Sequence, residues 1–499
     1  MGFIKASIRT NVFIKLWKYL DQMFEPTDHS CTNSENLQKS TWTSSGVLIS
    51  VVCQGMMMGY TTRLLPEPGS DSNTYQQDVY WIASSPSMAL ILGILLASIM
   101  MEVLGRKFAY VMLMIPGSFS LLQIYTASNG SSILAGKMLS GVSIGGVVTL
   151  AAVVIGEYSS PEHRDMFLHL KTAAFALGNT MSRILSDYYE WKTIAFVILI
   201  LNLISTLIVS SWLESPYWLA MNGELDTSER NFYSLRGRNH NTKAEFEELI
   251  RAQSKASLKS RAPYVEIFRK LIKRSFLRPV FIIFMCSMLL EISGRHIIPI
   301  YASKIIRELE NKSNPSLNLR IDIIITISAL ISATLIKIMK TRTLLFSTGT
   351  ASLLTLFSAN TYLFLSSNNF ISNHSWLPTS MFTLYLILVN LGCTIIPMAL
   401  LGEIFPLAHK GTGLFVSGIL SCICFEGTVR IFPYLLAGLK IYTTFAIIGM
   451  VKTVILMILY FVLPETKNKT LQEIEESIQY GRGVARTLPD HDETYKMLS

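Results

Sequence analysis

Acidic and basic residues recur in this chain in the same short patterns, once in each half. Glu157 is followed by Arg164 seven residues later, and Glu403 is followed by Lys410 at the same distance. Two other patterns flank these pairs in the same order, with Gly105-Arg106-Lys107 and Glu214-Ser215-Pro216 in the first half and Lys340-Thr341-Arg342 and Pro464-Glu465-Thr466 in the second. The partners are 235 residues apart for Gly105 and Lys340, 246 for Glu157 and Glu403, and 251 for Glu214 and Glu465. This repeat predicts that one structural unit occurs twice.

Two other charge pairs lie inside apolar stretches of the second half. Glu291 and Arg295 are four residues apart, and so are Glu426 and Arg430. On a helix, this spacing places both members of a pair on one face. The pairs have two interpretations. They form a polar site, to which His296 adds a group that titrates near neutral pH, or each pair neutralises itself as a structural tie between helices.

The elements that position these residues follow from the composition. Half of the 499 residues are hydrophobic and only 15% are charged, whereas about a quarter are charged in a soluble domain. The apolar residues form twelve runs of about 20, the length that crosses a bilayer as a helix. The runs are 44–63, 80–101, 108–126, 132–155, 167–187, 192–213, 278–300, 321–339, 343–366, 377–401, 412–437 and 441–463. The predicted fold is all-α, with two pseudo-symmetric bundles of six membrane helices.

The basic residues predict the orientation of these bundles. Thirteen arginines and lysines lie between positions 229 and 278, and an even number of helices returns both termini to the same side. The positive-inside rule then places the termini and this segment in the cytoplasm. The predicted organisation is a cytoplasmic tail (1–43), a first bundle (44–213), a cytoplasmic helical linker (214–277), a second bundle (278–463) and a cytoplasmic tail (464–499).

The motifs resemble those of sugar porters of the major facilitator superfamily, which include glucose facilitators and insect trehalose facilitators. The resemblance covers about residues 44–475, and its most specific parts are Glu214-Ser215-Pro216-Tyr217-Trp218-Leu219, Gly402-Glu403-Ile404-Phe405-Pro406 and Pro464-Glu465-Thr466-Lys467. It implies alternating access in a plasma membrane, with the solute bound between the bundles. Helix 1 lacks the acid that proton-coupled sugar porters place there, so the resemblance implies a facilitator.

The same resemblance indicates where the solute binds, although most of the family's sugar ligands are replaced. Glu291 takes the place of a glutamine, His296 of an asparagine and Met398 of a tryptophan. The implied substrate-binding residues are Thr172, Glu291, Arg295, His296, Tyr301 and Met398.

The repeated charges are predicted to gate the cytoplasmic end. Such charges can pair across helix ends while that end is closed and separate when it opens. One partly wet ion pair is worth about 0–1 kcal/mol, so several can bias the equilibrium without locking it. Lys337 stands where the family has an aspartate, which weakens the pattern in the second half. The predicted gating residues are Glu102, Arg106, Lys107, Glu157, Arg164, Glu214, Arg342, Glu403, Lys410 and Glu465.

The predicted function is facilitated transport of a hexose or of a disaccharide such as trehalose. One alternative is a transporter of the same fold for another polar or charged organic solute, which Glu291, Arg295 and His296 favour. The other alternative is a sensor that binds solute without moving it.

The remaining expectations concern what else the chain binds. The motifs of nucleotide, metal and nucleophile chemistry are missing, so we expect neither an enzyme nor a cofactor or metal site. The net charge of +9 belongs to the predicted cytoplasmic segments and does not indicate nucleic acid. The expected partners are the lipid bilayer and a sugar-like solute, with no obligate protein partner evident. Asn311 and Asn373 are predicted glycosylation sites on outer loops.

Overall fold

The chain folds into helices that follow its apolar runs. The computed structural model describes residues 33–60, 76–237, 240–257, 274–295, 317–368, 370–371, 376–405 and 410–480, and these residues form no β-strand. The helices of the first half are α1 (Asn33–Gly59), α2 (Gln76–Val103), α3 (Arg106–Thr126), α4 (Gly130–Tyr158), α5 (Pro161–Ser186), α6 (Trp191–Ser210), α7 (Pro216–Met221), α8 (Leu225–Arg236) and α9 (His240–Ser257). The others are α10 (Arg274–Ile292), α11 (Leu317–Ile338), α12 (Thr341–Ser367), α13 (Trp376–Leu391), α14 (Ile395–Leu400), α15 (Lys410–Gly438), α16 (Ile441–Val462) and α17 (Leu471–Tyr480).

Over the described residues, eleven of the twelve apolar runs coincide with one long helix each, so the predicted all-α class is confirmed. The run 377–401 is divided between α13 and α14 because Pro397 has no N–H to donate to the preceding turn. Within the described residues, seven segments are long and apolar enough to cross a membrane by themselves. Helix α5 is not among them, and it carries the charged residues Glu162, Arg164 and Asp165 near its start.

The two sets of six helices meet along a small number of helix pairs. Helix α5 packs on α11 and helix α2 packs on α15, so each contact joins the first half to the second. One continuous apolar core extends through both halves. All the repeated charge motifs lie where these helices begin or end on one side of the molecule, which we call the motif end.

The segment between the halves also packs at the motif end. Tyr217, Leu249 and Leu471 bury their side chains in a small cluster that joins helices α7, α9 and α17. Arg236 forms an ion pair with Glu245 and donates a hydrogen bond to Ser159 O at 2.9 Å. The linker and the segment after α16 therefore cover the motif end together.

Candidate functional site

Glu157 is the most densely paired carboxylate at the motif end. Arg106 approaches it with two nitrogens, Nε at 2.9 Å from Oε2 and Nη2 at 3.0 Å from Oε1. Ser215 Oγ donates to Oε2 at 2.6 Å, and Lys410 Nζ lies 3.4 Å from Oε1. The carboxylate is fully buried, and a bidentate arginine is the strongest arrangement for such a charge. Because Lys410 belongs to the second half, this ion-pair group joins the two halves.

Glu214 caps the start of helix α3, which carries Arg106. Its carboxylate accepts hydrogen bonds from the backbone N–H of Arg106 at 2.7 Å and of Lys107 at 3.2 Å. A negative charge at a helix N-terminus is favourable because the first N–H groups of a helix lack partners there. Gly105 has a φ of 90°, and a Cβ at this position would lie 2.6 Å from Glu214 Oε2. Burial raises the pKa of the Glu214 carboxyl, and the backbone hydrogen bonds oppose that shift.

The second half repeats this cap with a different set of side chains. Glu465 accepts hydrogen bonds from Thr341 N at 3.1 Å and Arg342 N at 3.3 Å, at the start of helix α12. The guanidinium of Arg342 donates to the carbonyls of Leu463 and Tyr460 at 2.9 and 2.8 Å. Arg342 thus fixes the loop after α16, and the hydrogen bonds that it forms with described residues stay within the second half.

Glu403 occupies the place in the second half that Glu157 has in the first, but with other neighbours. It is buried, and its carboxyl lies close enough to that of Asp165, from the first half, for the two groups to interact electrostatically. Thr341 stands where the first half has Arg106. Burial raises the pKa of the Glu403 carboxyl well above its usual range, and the negative charge of Asp165 adds to the shift. Two buried negative charges side by side repel each other, so this environment favours the protonated form of Glu403.

Arg164, which the sequence pattern groups with Glu157, lies near Glu403. Its electrostatic effect opposes the rise in the pKa of Glu403. Its Nη1 donates to Lys469 O at 3.1 Å, and no group in the described part of the chain hydrogen-bonds with its Nε or Nη2. Of the two basic residues that follow the repeated glutamates, Lys410 therefore reaches Glu157 of the first half, and Arg164 lies near Glu403 of the second half.

The halves also touch through their backbones at the motif end. A Cβ added to Gly402 would lie 2.5 Å from Ala152 O, and one added to Gly156 would lie 2.8 Å from Gly402 O. Glu102 Oε1 accepts a hydrogen bond from Gly411 N at 3.1 Å, across the halves. The repeated Gly-Glu motifs therefore meet each other where the halves are closest.

Charged residues also converge between the halves near the middle of the helices. Lys171 on α5 is 3% exposed, and its Nζ donates to Met398 O of the second half at 3.5 Å. Arg295 is near enough to interact electrostatically with both Lys171 and Glu291. The Thr172 hydroxyl instead donates to Leu168 O on its own helix at 3.4 Å. The structure thus places Met398 and Arg295 together with Lys171, which the sequence analysis did not select although it is a charge inside an apolar run.

A second group between the halves was also missed from the sequence. Arg183 on α5 forms an ion pair with Asp322 on α11, with Nε 2.5 Å from Oδ2. Asn179 Nδ2 donates to Asp322 Oδ1 at 3.3 Å, and the hydroxyls of Thr180 and Thr326 are 2.9 Å apart. No periodic pattern indicates this pairing because its partners come from different halves of the chain.

The remaining predicted residues lie elsewhere. His296, Tyr301, Asn311 and Asn373 fall outside the described residues. Glu426 and Arg430 form their ion pair at 3.4 Å, and Arg430 is 71% exposed.

Comparison with known proteins gives consistent matches over most of the chain. Residues 31–478 match the sequence model of a family described as sugar (and other) transporter. The facilitated trehalose transporter Tret1 of Bombyx mori is 24% identical over 441 residues, which cover 88% of this chain and 86% of that protein. The protein of the same name from Polypedilum vanderplanki is 27% identical over 408 residues, which cover 81% and 80%.

Solved structures show the same fold. The proton:xylose symporter XylE bound to 6-bromo-6-deoxy-D-glucose superposes with a TM-score of 0.74 at 16% identity, covering 89% of this chain and 99% of that one. The inward open conformation of the xylose transporter XylE from E. coli gives a TM-score of 0.60 at 15% identity, covering 88% and 99%. These neighbours have the major facilitator fold.

Proposed function

Because the chain belongs to the family of sugar (and other) transporters, we propose that it carries a sugar across the plasma membrane by alternating access. The proposed solute is a hexose or a disaccharide such as trehalose, the sugar for which the Bombyx and Polypedilum relatives are named. The relatives are transporters and not enzymes. In this proposal residues 44–213 and 278–463 are the two moving bodies, joined by the linker 214–277.

The observation that carries this proposal is the ion-pair group around Glu157. Lys410 of the second half and Arg106 of the first half share this one buried carboxylate. The motif end cannot open while Lys410 stays bound, because the contact spans the two halves. A bond that closes one end and must break for passage is what alternating access requires.

The energetics of this group fit a gate. Removing one partner from a buried ion pair typically costs about 3–5 kcal/mol, whereas an exposed pair is worth about 0–1 kcal/mol. When the motif end opens, Lys410 and Glu157 become hydrated, so the net cost of separation is much smaller than the cost of deletion. A solute that binds the alternative state more tightly by a few kcal/mol can then shift the population.

The motif end faces the cytoplasm in this proposal, together with both termini, because the basic residues of the linker concentrate there. Epitope tags at the N-terminus and in the linker should be stained only after permeabilisation of intact cells. Staining of the linker tag from outside would reverse the orientation.

Transport is tested with the purified full chain in liposomes. We expect saturable uptake and counterflow of labelled trehalose or glucose, above that of protein-free liposomes. A pH gradient should not drive accumulation, because the proposed mechanism is facilitative. Accumulation against a sugar gradient would contradict the facilitative mechanism, and absence of both uptake and counterflow for every sugar would contradict transport.

A further inference from the structure

Lys171 is a buried lysine between the two halves that forms no ion pair with a described carboxylate. It is 3% exposed, on helix α5, where the first half faces the second. Its contact is a carbonyl oxygen, that of Met398 at 3.5 Å, and no described carboxylate lies within ion-pair distance of its Nζ. A cation inside a membrane protein usually faces a partner or a water-filled cavity, because an uncompensated charge there is expensive. Among the described residues, the Lys171 amine therefore has no carboxylate partner.

A second cation approaches the same place from the other half. Arg295 follows helix α10, and its charge and that of Lys171 repel each other. Glu291 offsets one of the two positive charges through its interaction with Arg295. Within the described residues, the group formed by Lys171, Arg295 and Glu291 keeps one positive charge in excess.

This place is not sealed by packing. Arg295 and Met398 both keep part of their surface exposed, although they lie between the halves. Met398 stands where the resemblance to sugar porters expects a tryptophan, so a flat apolar surface for a sugar ring is replaced by a flexible chain. A solute that enters between the halves therefore meets two cationic side chains beside Met398.

The surroundings also offer neutral polar groups. Ser287, one helical turn before Glu291 on α10, pairs its hydroxyl with that of Ser421 on α15 at 2.6 Å. Asn179, which donates to Asp322, lies two helical turns beyond Lys171 on α5. Hydroxyls and amides of this kind bind the hydroxyl groups of a polyol. One excess positive charge with neutral polar groups nearby fits a solute that has one negative charge and several hydroxyls.

We propose that the central site selects a sugar acid with a single carboxylate, such as a hexuronate, which Lys171 and Arg295 hold from opposite halves. This inference rests on the proposed transport by alternating access and names the class of its solute. The carboxylate does more than fill the site. It replaces repulsion between the two halves by attraction to a shared anion, so binding itself draws the halves together around the solute.

The test uses the full chain in liposomes with the membrane potential clamped, because a sugar acid carries charge. The uptake of labelled D-glucuronate, D-glucose and trehalose is compared at equal concentration. We expect D-glucuronate to be taken up with the highest kcat/KM. Lys171→Gln should lower kcat/KM for D-glucuronate by about 10-fold or more, the scale of a lost charge-assisted hydrogen bond, and change that for D-glucose much less. Lys171→Arg, which keeps the charge, should retain the preference for the acid.

A matched control is Lys452→Gln. Lys452 is also fully buried, but it donates to Ser352 inside the second half at 2.9 Å. This variant should change thermal stability and leave the ratio of acid to neutral sugar uptake unchanged. If Lys171→Gln fails to fold, competition by D-glucuronate against sugar uptake in the unaltered protein still decides the question.

The outcomes separate this inference from the proposed function. Uptake of neutral sugars without uptake of, or competition by, D-glucuronate would overturn the inference and leave sugar transport intact. If nothing is transported, sugar transport fails, and thermal unfolding then decides the inference. Stabilisation by D-glucuronate that is lost in Lys171→Gln supports the anion site, and the absence of any stabilisation overturns it.

Discussion

Glu157 and Glu403 occupy equivalent places in the two halves, but one is surrounded by cations and the other meets a second acid. Glu157 is bound by Arg106 and Lys410. Glu403 lies near Asp165, whose negative charge adds to the rise in the pKa of Glu403, and Thr341 stands where an arginine would complete the repeat. The cations around Glu157 favour its anion, and burial beside Asp165 favours the neutral acid at Glu403.

The flanking positions differ in the same way. Glu102 of the first half accepts a hydrogen bond from Gly411 N of the second. In the repeat, Glu102 corresponds to Lys337, and Gly411 corresponds to Asp165. The positions that form a hydrogen bond between a carboxylate and a backbone N–H in one copy are therefore a lysine and an aspartate in the other. These two residues line a cavity of about 300 Å³ at the motif end. One copy of the repeat thus forms the contact between Glu102 and Gly411, whereas the equivalent place in the other copy contains a cavity.

The comparison shows which parts of a duplicated motif are constrained. Glu214 and Glu465 cap their helices through backbone N–H groups, and this contact is retained in both halves. A backbone cap is needed wherever the helix begins. The ion-pair group joins Glu157 to Arg106 of its own half and to Lys410 of the other half, and no backbone geometry requires such side-chain pairs at both copies of the repeat.

The largest effect is expected from Glu157→Gln. This change leaves Arg106 and Lys410 buried without their counter-charge, so we expect a loss of about 3–5 kcal/mol of stability. Thermal unfolding in detergent measures it. An unfolding temperature equal to that of the unaltered protein would show that the ion-pair group does not stabilise the closed motif end.

A smaller change of opposite sign is expected from Thr341→Arg. The new guanidinium would place a second cation, besides Arg164, near Glu403 at the position equivalent to Arg106. A hydrogen bond to a charged group is worth about 1.5–3 kcal/mol. The closed motif end should be more stable, and sugar uptake should slow because this contact must also break. Thr341→Met has similar length without charge, and equal effects of the two changes would exclude the electrostatic explanation.

The pH dependence should come from the second half. The pKa of Glu403 is raised in the folded protein, so its contribution to stability is complete below the usual carboxyl range. It declines as the pH rises above that range, until the raised pKa is passed. The loss is about 1.4 kcal/mol per pH unit within this window. Unfolding temperatures measured from pH 5 to 8 should fall more steeply for the unaltered protein than for Glu403→Gln, and parallel curves would contradict a protonated Glu403.

The smallest effect is expected from Glu403→Gln at neutral pH. A glutamine reproduces the neutral, hydrogen-bonding form that burial favours, so the change should cost less than about 1 kcal/mol. Its comparison with Glu157→Gln, the same substitution at the equivalent position, is the most direct test of the difference between the halves. Equal losses in the two variants would mean that both carboxyls are charged.

Much of this arrangement can be predicted from the sequence, and the part that cannot has a physical reason. Apolar runs locate the membrane helices because a bilayer requires them, but they do not show that α1 starts at Asn33, since its first residues are polar. The repeat identifies Glu157, Lys410 and Glu403 as one set. It does not show that Lys410 reaches Glu157 while Arg164 faces Glu403, because the partners come from opposite halves. Lys171 is missed because a helix position alone does not tell which half a charge faces.

The contact between Gly156 and Gly402 has a consequence for permeability. Backbone packed directly on backbone at this contact leaves no room for a side chain and little room for water between the halves there, and ions need a file of water molecules to cross. A single methyl group at Gly402 would lie 2.5 Å from Ala152 O and hold the halves apart. An altered transport rate harms a cell less than an open ion leak through its membrane does. Because Gly156 and Gly402 have no side chains, the two halves can pack closely enough at this end to limit the passage of ions as well as that of the solute.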